Sequence, residues 1–232
     1  MVITPIANWR PIRVLSHRGH RRYTTLAGLV SSYFAIRFGQ VLIGPVIPLI
    51  LRTLSTSRGA IGMALTGMWI AYALFQLPSG IWSQRYGPPR VVLGALVLAA
   101  IGTLGVAGSP TIETFGLSAV VLGIGAGLYY NAGTAVIAKT FEVIGWAIGI
   151  HRIGGLTAGI TAPICAAVLA VRYGWRVTLL FGALAPIVVA SAYFWRTDLT
   201  RREGTSRTPR DRLEVRSSIR EFAQRETLLI TG

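Results

Sequence analysis

Long apolar runs with little or no charge recur along the sequence. A helix needs about 20 mostly apolar residues to cross the ~30 Å hydrocarbon layer of a bilayer, so such runs predict transmembrane helices. The runs of about this length are 23–51, 59–84, 91–112, 114–138, 143–171 and 177–195. Arg37 alone interrupts the first, Arg152 alone interrupts the fifth, and the other four carry no charge. The pattern predicts an all-α membrane protein with six transmembrane helices.

The composition agrees with a membrane protein, but the chain is unusually basic. Its 232 residues are 52% hydrophobic and 13% charged, with a mean hydropathy of +0.57. That leaves too few charged side chains to cover a water-soluble globule of this size. Lys and Arg number 23 against 8 Asp and Glu, which gives a net charge of +15. This charge is typical of nucleic-acid-binding proteins, but also of membrane proteins that concentrate arginine in cytoplasmic loops.

The positions of the basic residues favour the second explanation. With six spans, 17 of the 23 lie in the two tails and in the loops on the same side of the membrane. The positive-inside rule then predicts cytoplasmic termini, in a protein integral to the plasma membrane. The predicted organisation is a basic tail at 1–22, a six-helix domain at 23–195 and a basic cytoplasmic connector at 196–232. The tails lack interleaved aromatic residues, so no nucleic-acid partner is predicted.

No metal or cofactor site is predicted. Cys165 is the only cysteine and lies in an apolar run, while two of the three histidines, His17 and His20, lie in the basic tail. The sequence therefore lacks a cluster of Cys, His and carboxylate side chains of the kind that holds zinc.

A short motif occurs after both the second and the fifth predicted spans. The two copies are Arg85-Tyr86-Gly87 and Arg172-Tyr173-Gly174, and each is followed shortly by another arginine. Because three spans separate them, one copy lies inside and the other outside, as in the inverted repeats of transporters. The spans are therefore predicted to form two inverted three-helix repeats. The alternative is a chance match of three residues.

The connection between the second and third spans resembles the glycine-rich cytoplasmic signature of the major facilitator superfamily (MFS) of transporters. Gly80, Arg85 and Gly87 match that signature, and Arg90 follows them. Gln84 stands where the family usually has an aspartate, so the resemblance does not extend to the charged latch in which that aspartate takes part. These five residues are the candidate gating motif.

The resemblance covers residues 23–195 and implies half of a twelve-span fold. The chain ends where a seventh span would begin, so the expected partner is a second six-helix half, either a separate chain or a second copy. Glycines of the fifth span, such as Gly155 and Gly159, predict close helix packing. The alternative is a truncated or non-transporting six-helix membrane subunit.

Two arginines lie inside predicted spans, where a charge costs roughly 2.5–3.5 kcal/mol and normally faces a cavity or a partner. Arg37 lies mid-span and shares one helical face with Tyr33 and Gln40. Arg152 follows His151 about two turns into the fifth span. No acidic residue lies in any span, which favours an anionic substrate held by guanidinium groups. The alternatives are pairing with acids of the second half and, for Arg152, snorkelling to the surface.

A third polar patch, Tyr130, Asn131 and Thr134, lies in the fourth span. Spans one, four and five border the central cavity of the MFS fold, so the resemblance implies that the three patches converge on one binding site. The predicted function is transport of a small solute across the lipid bilayer by alternating access, as half of an MFS-type transporter, and the arginines favour an anion as that solute.

An intramembrane serine protease is a remote alternative, with Ser79 as nucleophile and His151 as base. Ser79 lies near a helix end, whereas His151 lies inside a glycine-rich helix. No enzymatic activity is therefore predicted. His151 is interpreted either as a hydrogen-bonded structural histidine or as a titrating group that takes part in coupling.

Overall fold

The computed structural model describes residues 17–196, with side chains for residues 22–195. Its helices are α1 (His17–Thr53), α2 (Arg58–Tyr86), α3 (Pro88–Gly108), α4 (Ile112–Thr140) and α5 (Ile144–Arg196). All five are long and apolar enough to cross a membrane, by length and composition. Most of the predicted basic tail, almost all of the connector and the start of the expected seventh span lie outside the described residues.

The helices follow the predicted apolar runs, with one difference in number. Helices α1 to α4 correspond to the first four runs, although α1 already begins at His17, inside the predicted tail. Helix α5 covers both the fifth and the sixth run, so the described residues form five helices rather than six. The physical reason is that the connection between those two runs is itself helical apart from Gly174.

The backbone of α5 leaves helical geometry at Gly174, where φ is 78° and ψ is 170°. A straight helix of its 53 residues would be about 80 Å long, more than twice the thickness of the hydrocarbon layer. Thr157 and Val189 lie on opposite sides of Gly174, yet both line one groove together with Phe34 of α1. In a straight helix they would be about 48 Å apart. The two parts of α5 therefore fold back toward each other at Gly174.

Two hydrogen bonds hold the Gly174 turn against the ends of other helices. Trp175 Nε1 donates to Thr53 Oγ1 at the end of α1 over 3.1 Å. Arg176 Nη2 donates to the carbonyl oxygen of Ser109, just after α3, over 2.6 Å. The second Arg-Tyr-Gly copy therefore lies at the end of the bundle where α1 and α3 finish.

The first Arg-Tyr-Gly copy forms the sharp turn between α2 and α3. Gly87 is the only residue between the two helices, its φ of 86° lies in the left-handed region, and Pro88 begins α3. Glycine adopts this conformation without the steric cost that a β-carbon brings. Proline has its φ pre-set for the start of a helix. The order Gly87-Pro88 thus ends one helix and begins the next within two residues.

Replacing Gly87 by alanine is expected to destabilise the protein by about 1–3 kcal/mol, because alanine would be held at a strained positive φ. The measurement is thermal unfolding in detergent. Unfolding is monitored by the reaction of a thiol-specific fluorophore with Cys165, the only cysteine of the chain. Gly80→Ala is the control, since Gly80 is helical and a β-carbon there meets nothing within 4 Å. An equal loss in both variants would contradict the assigned role of the Gly87 turn.

Glycines let α4 approach both α2 and α3 closely. A β-carbon on Gly123 would overlap the carbonyl oxygen of Met68 in α2. One on Gly125 would lie 2.7 Å from the amide nitrogen of Ala99 in α3, too close for any real β-carbon. Backbone therefore packs on backbone at these crossings, which brings the side chains on either side of each glycine into contact with the neighbouring helix.

The same kind of contact joins α5 to α1. A β-carbon on Gly154 would overlap the carbonyl oxygen of Val30, and one on Gly155 would overlap the ring of Tyr33. Gly159 has open space around its β-position. The predicted packing is confirmed for Gly155, whereas its extension to Gly159 is wrong, because that glycine lies on the exposed side of α5.

Candidate functional site

Arg37 and Gln40 form the polar centre of α1. Arg37 is half-buried near the middle of the apolar stretch Arg22–Thr53, and its Nη1 donates to Gln40 Oε1 over 3.1 Å. Gln40 is only 5% exposed. Its Nε2 has no hydrogen-bond partner among the described residues. A buried amide that has lost water without gaining a partner is costly. The pair therefore places a half-buried guanidinium beside a buried N–H donor that lacks a partner.

Aromatic residues of α2, which the sequence pattern does not single out, line the same region. The Arg37 guanidinium lies 5.6 Å from the centroid of the Trp69 ring, and Trp69 packs edge-to-face on Tyr72 with centroids 5.6 Å apart. With Gln76, these residues recur at i, i+3 and i+7, which places them on one helical face. That spacing was available in the sequence, but neither aromatic residue carries a charge to distinguish it from a lipid-facing one.

Tyr72 connects the α1 patch to those of α4 and α5. Its ring lies edge-on to Tyr130 with centroids 6.4 Å apart, and Arg152 Nη2 donates to the Tyr130 hydroxyl over 3.2 Å. Four helices thus contribute to one surface of half-buried and exposed polar side chains in the middle of an apolar bundle.

His151 lies behind this surface and is almost fully buried. Its Nε2 is 2.8 Å from the Tyr129 hydroxyl, which is 2.6 Å from the carbonyl oxygen of Leu29, and its ring stacks on Tyr33 with centroids 4.7 Å apart. The carbonyl can only accept and the phenol has one hydrogen, so Tyr129 donates to Leu29 and His151 Nε2–H donates to Tyr129. The histidine therefore fixes the Tyr33 ring and ties α5 to α1 and α4.

The remaining polar residues of α4 use their donors within the bundle. Asn131 Nδ2 donates to the carbonyl oxygen of Gln76 in α2 over 2.7 Å. Thr134 donates to the carbonyl oxygen of Tyr130, one turn earlier in its own helix, over 2.8 Å. Asn131 thus lies between α4 and α2, while Tyr130 is the member of its patch that meets Arg152.

Carboxylates are absent from the helix interiors over residues 17–196. The acidic residues in this range are Glu113 and Glu142, which lie at the start of α4 and just after its end. Glu142 lies 3.4 Å from Arg22 in an exposed ion pair, which contributes little stability. Within the described part of the chain, Arg37 and Arg152 form no ion pair.

The candidate gating residues lie away from this surface, around the Gly87 turn. Gln84 and Arg85 are exposed near the end of α2, and the Arg85 guanidinium lies 5.3 Å from the centroid of the Tyr86 ring. Gly80 has open space around its β-position, and Arg90 is exposed in the first turn of α3. The motif therefore forms a separate, basic end of the α2–α3 pair.

The two residues of the serine protease alternative have other partners. Ser79 donates to the carbonyl oxygen of Leu128 in α4, whereas His151 is hydrogen-bonded to Tyr129. A catalytic serine needs its hydroxyl hydrogen-bonded to a general base, and neither recorded contact provides that arrangement.

A family model described as Major Facilitator Superfamily matches residues 29–231, which is most of the chain. The chain belongs to the Major Facilitator Superfamily. This membership confirms the family resemblance carried by the motif around Gly87. It also places the helices in a membrane.

Two curated relatives are each 27% identical to this chain. One is named "Probable sulfoacetate transporter SauU" from Cupriavidus necator, and the alignment covers 70% of this chain and 38% of that protein. The other is named "Membrane sensor protein UhpC" from Escherichia coli strain K12, with 78% of this chain and 41% of that protein covered. The chain thus spans about two fifths of the length of these relatives.

Solved transporter structures share the fold. A bacterial homologue of the human lysosomal transporter Spinster, inward-facing and unoccupied, superposes with a TM-score of 0.69 at 19% identity, over 75% of this chain and 42% of that one. The proton:xylose symporter XylE bound to 6-bromo-6-deoxy-D-glucose gives 0.65 at 15% identity, over 77% and 45%. At sequence identities of 19% and 15%, the similarity shows a shared fold only, and it extends over about half of each solved transporter.

Proposed function

We propose that the protein moves a small anionic solute across the membrane by alternating access, as one half of an MFS transporter. The observation that carries this proposal is the pair of intramembrane arginines with no carboxylate beside them over residues 17–196. A guanidinium in the middle of an apolar helix normally faces a cavity or a partner. A carboxylate, sulfonate or phosphate group of a solute supplies that charge and fits the planar fork of arginine.

Arg37 is the proposed main anchor for the anionic group. Gln40 Oε1 accepts from Arg37 Nη1 and so orients the guanidinium toward that group. Arg152 provides the second positive charge, and Tyr130, which accepts from Arg152, places a hydroxyl beside it. His151 and Tyr33 position α5 and α1 behind the site, and Asn131 fixes α4 on α2.

The proposed architecture is six spans in two inverted three-helix repeats. The fold-back at Gly174 supports it, because that turn divides α5 into parts of 30 and 22 helical residues, each long enough to cross ~30 Å. Among residues 17–196, Gly87 and Gly174 are the two glycines with positive φ, and they are 87 residues apart. If the two halves are repeats, adding 87 to the residue numbers of a helix in the first half should give the bounds of a helix in the second half.

Several helix ends that repeat at a spacing of 87 residues support this proposal. A shift of 87 residues carries α2 (Arg58–Tyr86) onto 145–173, the first part of α5, and α3 (Pro88–Gly108) onto 175–195, the second part. It also carries the end of α1 at Thr53 onto Thr140, where α4 ends. Gly67, which packs on α4, falls on Gly154, which packs on α1. Bounds and packing glycines that repeat at one spacing support two related units.

We propose that the chain is integral to the plasma membrane with both termini in the cytoplasm. The support is the excess of Lys and Arg in the tails and in the connections that share their side. The solute site lies at mid-membrane between two halves in such transporters, so the proposal includes a second six-helix half, from a longer chain, a separate chain or a second copy.

The proposed function is tested by binding and flux in liposomes that contain the purified chain. Radiolabelled sulfoacetate, inorganic phosphate and succinate are compared with neutral xylose. We expect saturable binding of at least one anion, no saturable binding of xylose, and anion flux once a second half is present. Xylose binding as tight as that of every anion, or no anion bound at all, would contradict an anionic site.

A second candidate is a membrane sensor that binds the solute without moving it. It is favoured by the relative named "Membrane sensor protein UhpC", which is similar to 78% of this chain. The two candidates share the binding site and differ in flux. Anion binding without measurable flux in liposomes that contain both halves would select the sensor.

A further inference from the structure

A second, separate groove lies beside the Gly87 turn, between α2, α3 and α4. Its volume is about 460 Å³ and it is open on one side. Its walls are apolar and include Val91, Leu98 and Leu128. Gly94 forms part of the floor and leaves open space where a side chain would project. The groove is therefore a surface channel of a size and character that suits a hydrocarbon chain.

The mouth of this groove carries a positive charge. Arg90 lines the groove and is exposed, and no hydrogen bond or ion pair is recorded for it among the described residues. Trp82 and Tyr86, which are 40% and 49% exposed, line the same end. Aromatic rings of this kind are enriched where a membrane meets water. Leu98 lies about 12 Å deeper along α3 than Arg90, toward the middle of the bilayer.

We propose that this groove binds an anionic phospholipid, with its phosphate on Arg90 and one acyl chain along Gly94 and Leu98. Basic pockets between membrane helices bind phosphate-bearing head groups. Gln84 and the rest of α2 and α3 bring no carboxylate to compete for Arg90. The groove between α1 and the two parts of α5 makes a useful contrast, because its lining has no charged residue. That groove has nothing with which to select a head group.

The test measures lipid bound to the full chain by native mass spectrometry, with phosphatidylglycerol and phosphatidylcholine as probes. The wild type is expected to prefer phosphatidylglycerol, and Arg90→Gln to weaken its binding about fivefold while phosphatidylcholine binding stays nearly unchanged. Lys139→Gln is the matched control. Lys139 is exposed at the same end of the bundle and does not line the groove, and its replacement by glutamine removes the same charge as Arg90→Gln. Equal losses in both variants would overturn the site in favour of diffuse attraction.

A second variant, Gly94→Leu, tests the contribution of the groove's shape while Arg90 keeps its charge. The added side chain meets no atom within 4 Å at its β-carbon, so the helix tolerates it while the floor of the groove is filled. We expect both lipids to be displaced from this position, although every arginine remains. Millimolar inorganic phosphate is expected not to compete with phosphatidylglycerol. Full competition by phosphate, or unchanged lipid binding in Gly94→Leu, would overturn the proposal. Neither result bears on solute binding at Arg37.

Discussion

Replacing Arg37 by alanine is expected to weaken anion binding at least thirtyfold. A charged partner removed from a largely desolvated pair costs about 2–5 kcal/mol, and 2 kcal/mol corresponds to a factor of about 30 in the dissociation constant. The change removes the guanidinium, its contact with Trp69 and the hydrogen bond that orients Gln40. The measurement is equilibrium binding of whichever anion binds the wild type in the liposome assay described above.

Arg52→Ala is the control for this prediction. Arg52 carries the same charge on the same helix, but it lies exposed in the last turn of α1. Its removal is expected to change binding by less than about twofold, since exposed charges interact weakly through water and salt. Arg37→Lys is expected to bind the anion with an affinity between those of the wild type and Arg37→Ala, because lysine keeps the charge and loses the planar fork. Equal losses for Arg37→Ala and Arg52→Ala would exclude Arg37 as the anchor.

Replacing Gly154 by leucine is expected to lower the free energy of unfolding by about 3 kcal/mol, the upper part of the range for overpacking. A β-carbon there would overlap the carbonyl oxygen of Val30 and lie 3.2 Å from the amide nitrogen of Phe34. Backbone atoms cannot move aside as a side-chain tip can, so α5 must separate from α1. The unfolding temperature should fall by on the order of 10 °C.

Gly149→Leu provides the comparison within the same helix. Gly149 is exposed and has nothing within 4 Å of its β-position, so leucine there is expected to be neutral or slightly stabilising. The Gly154→Leu variant should also bind anions more weakly, because separation of α5 from α1 carries Arg152 away from Arg37. If the two leucine variants unfold at the same temperature, the close α1–α5 contact is not what holds this side of the bundle.

Most of the helical fold could be predicted from the sequence. A membrane helix is specified by local composition, because about 20 apolar residues in a row satisfy the bilayer wherever they occur. The runs that correspond to α1 through α4 were therefore found with small errors at their ends. The fifth and sixth runs were also delimited correctly, because Arg172 and Arg176 separate them and the turn at Gly174 lies between those arginines. The sequence did not show that the connection is helical apart from this one glycine.

The candidate site was only partly predictable. Arg37 and Arg152 were found because a charge inside an apolar run is conspicuous. Trp69 and Tyr72 were missed because an aromatic residue in such a run looks the same whether it faces lipid or a binding site. The hydrogen bond between His151 and Tyr129 joins residues 22 positions apart on different helices, and no local pattern encodes that meeting.

The sequence by itself determined which segments enter the membrane, where the two intramembrane arginines lie along their helices, and that no carboxylate accompanies them in those segments. Only the tertiary structure decided which helix faces meet. The contacts between helix faces depend on how closely two backbones approach. That distance is set jointly by the glycines of one helix and the side-chain volumes of the other. The face shared by Arg37, Tyr72, Tyr130 and Arg152 exists because Gly127 and Gly154 let α4 and α5 lie directly on the backbones of α2 and α1.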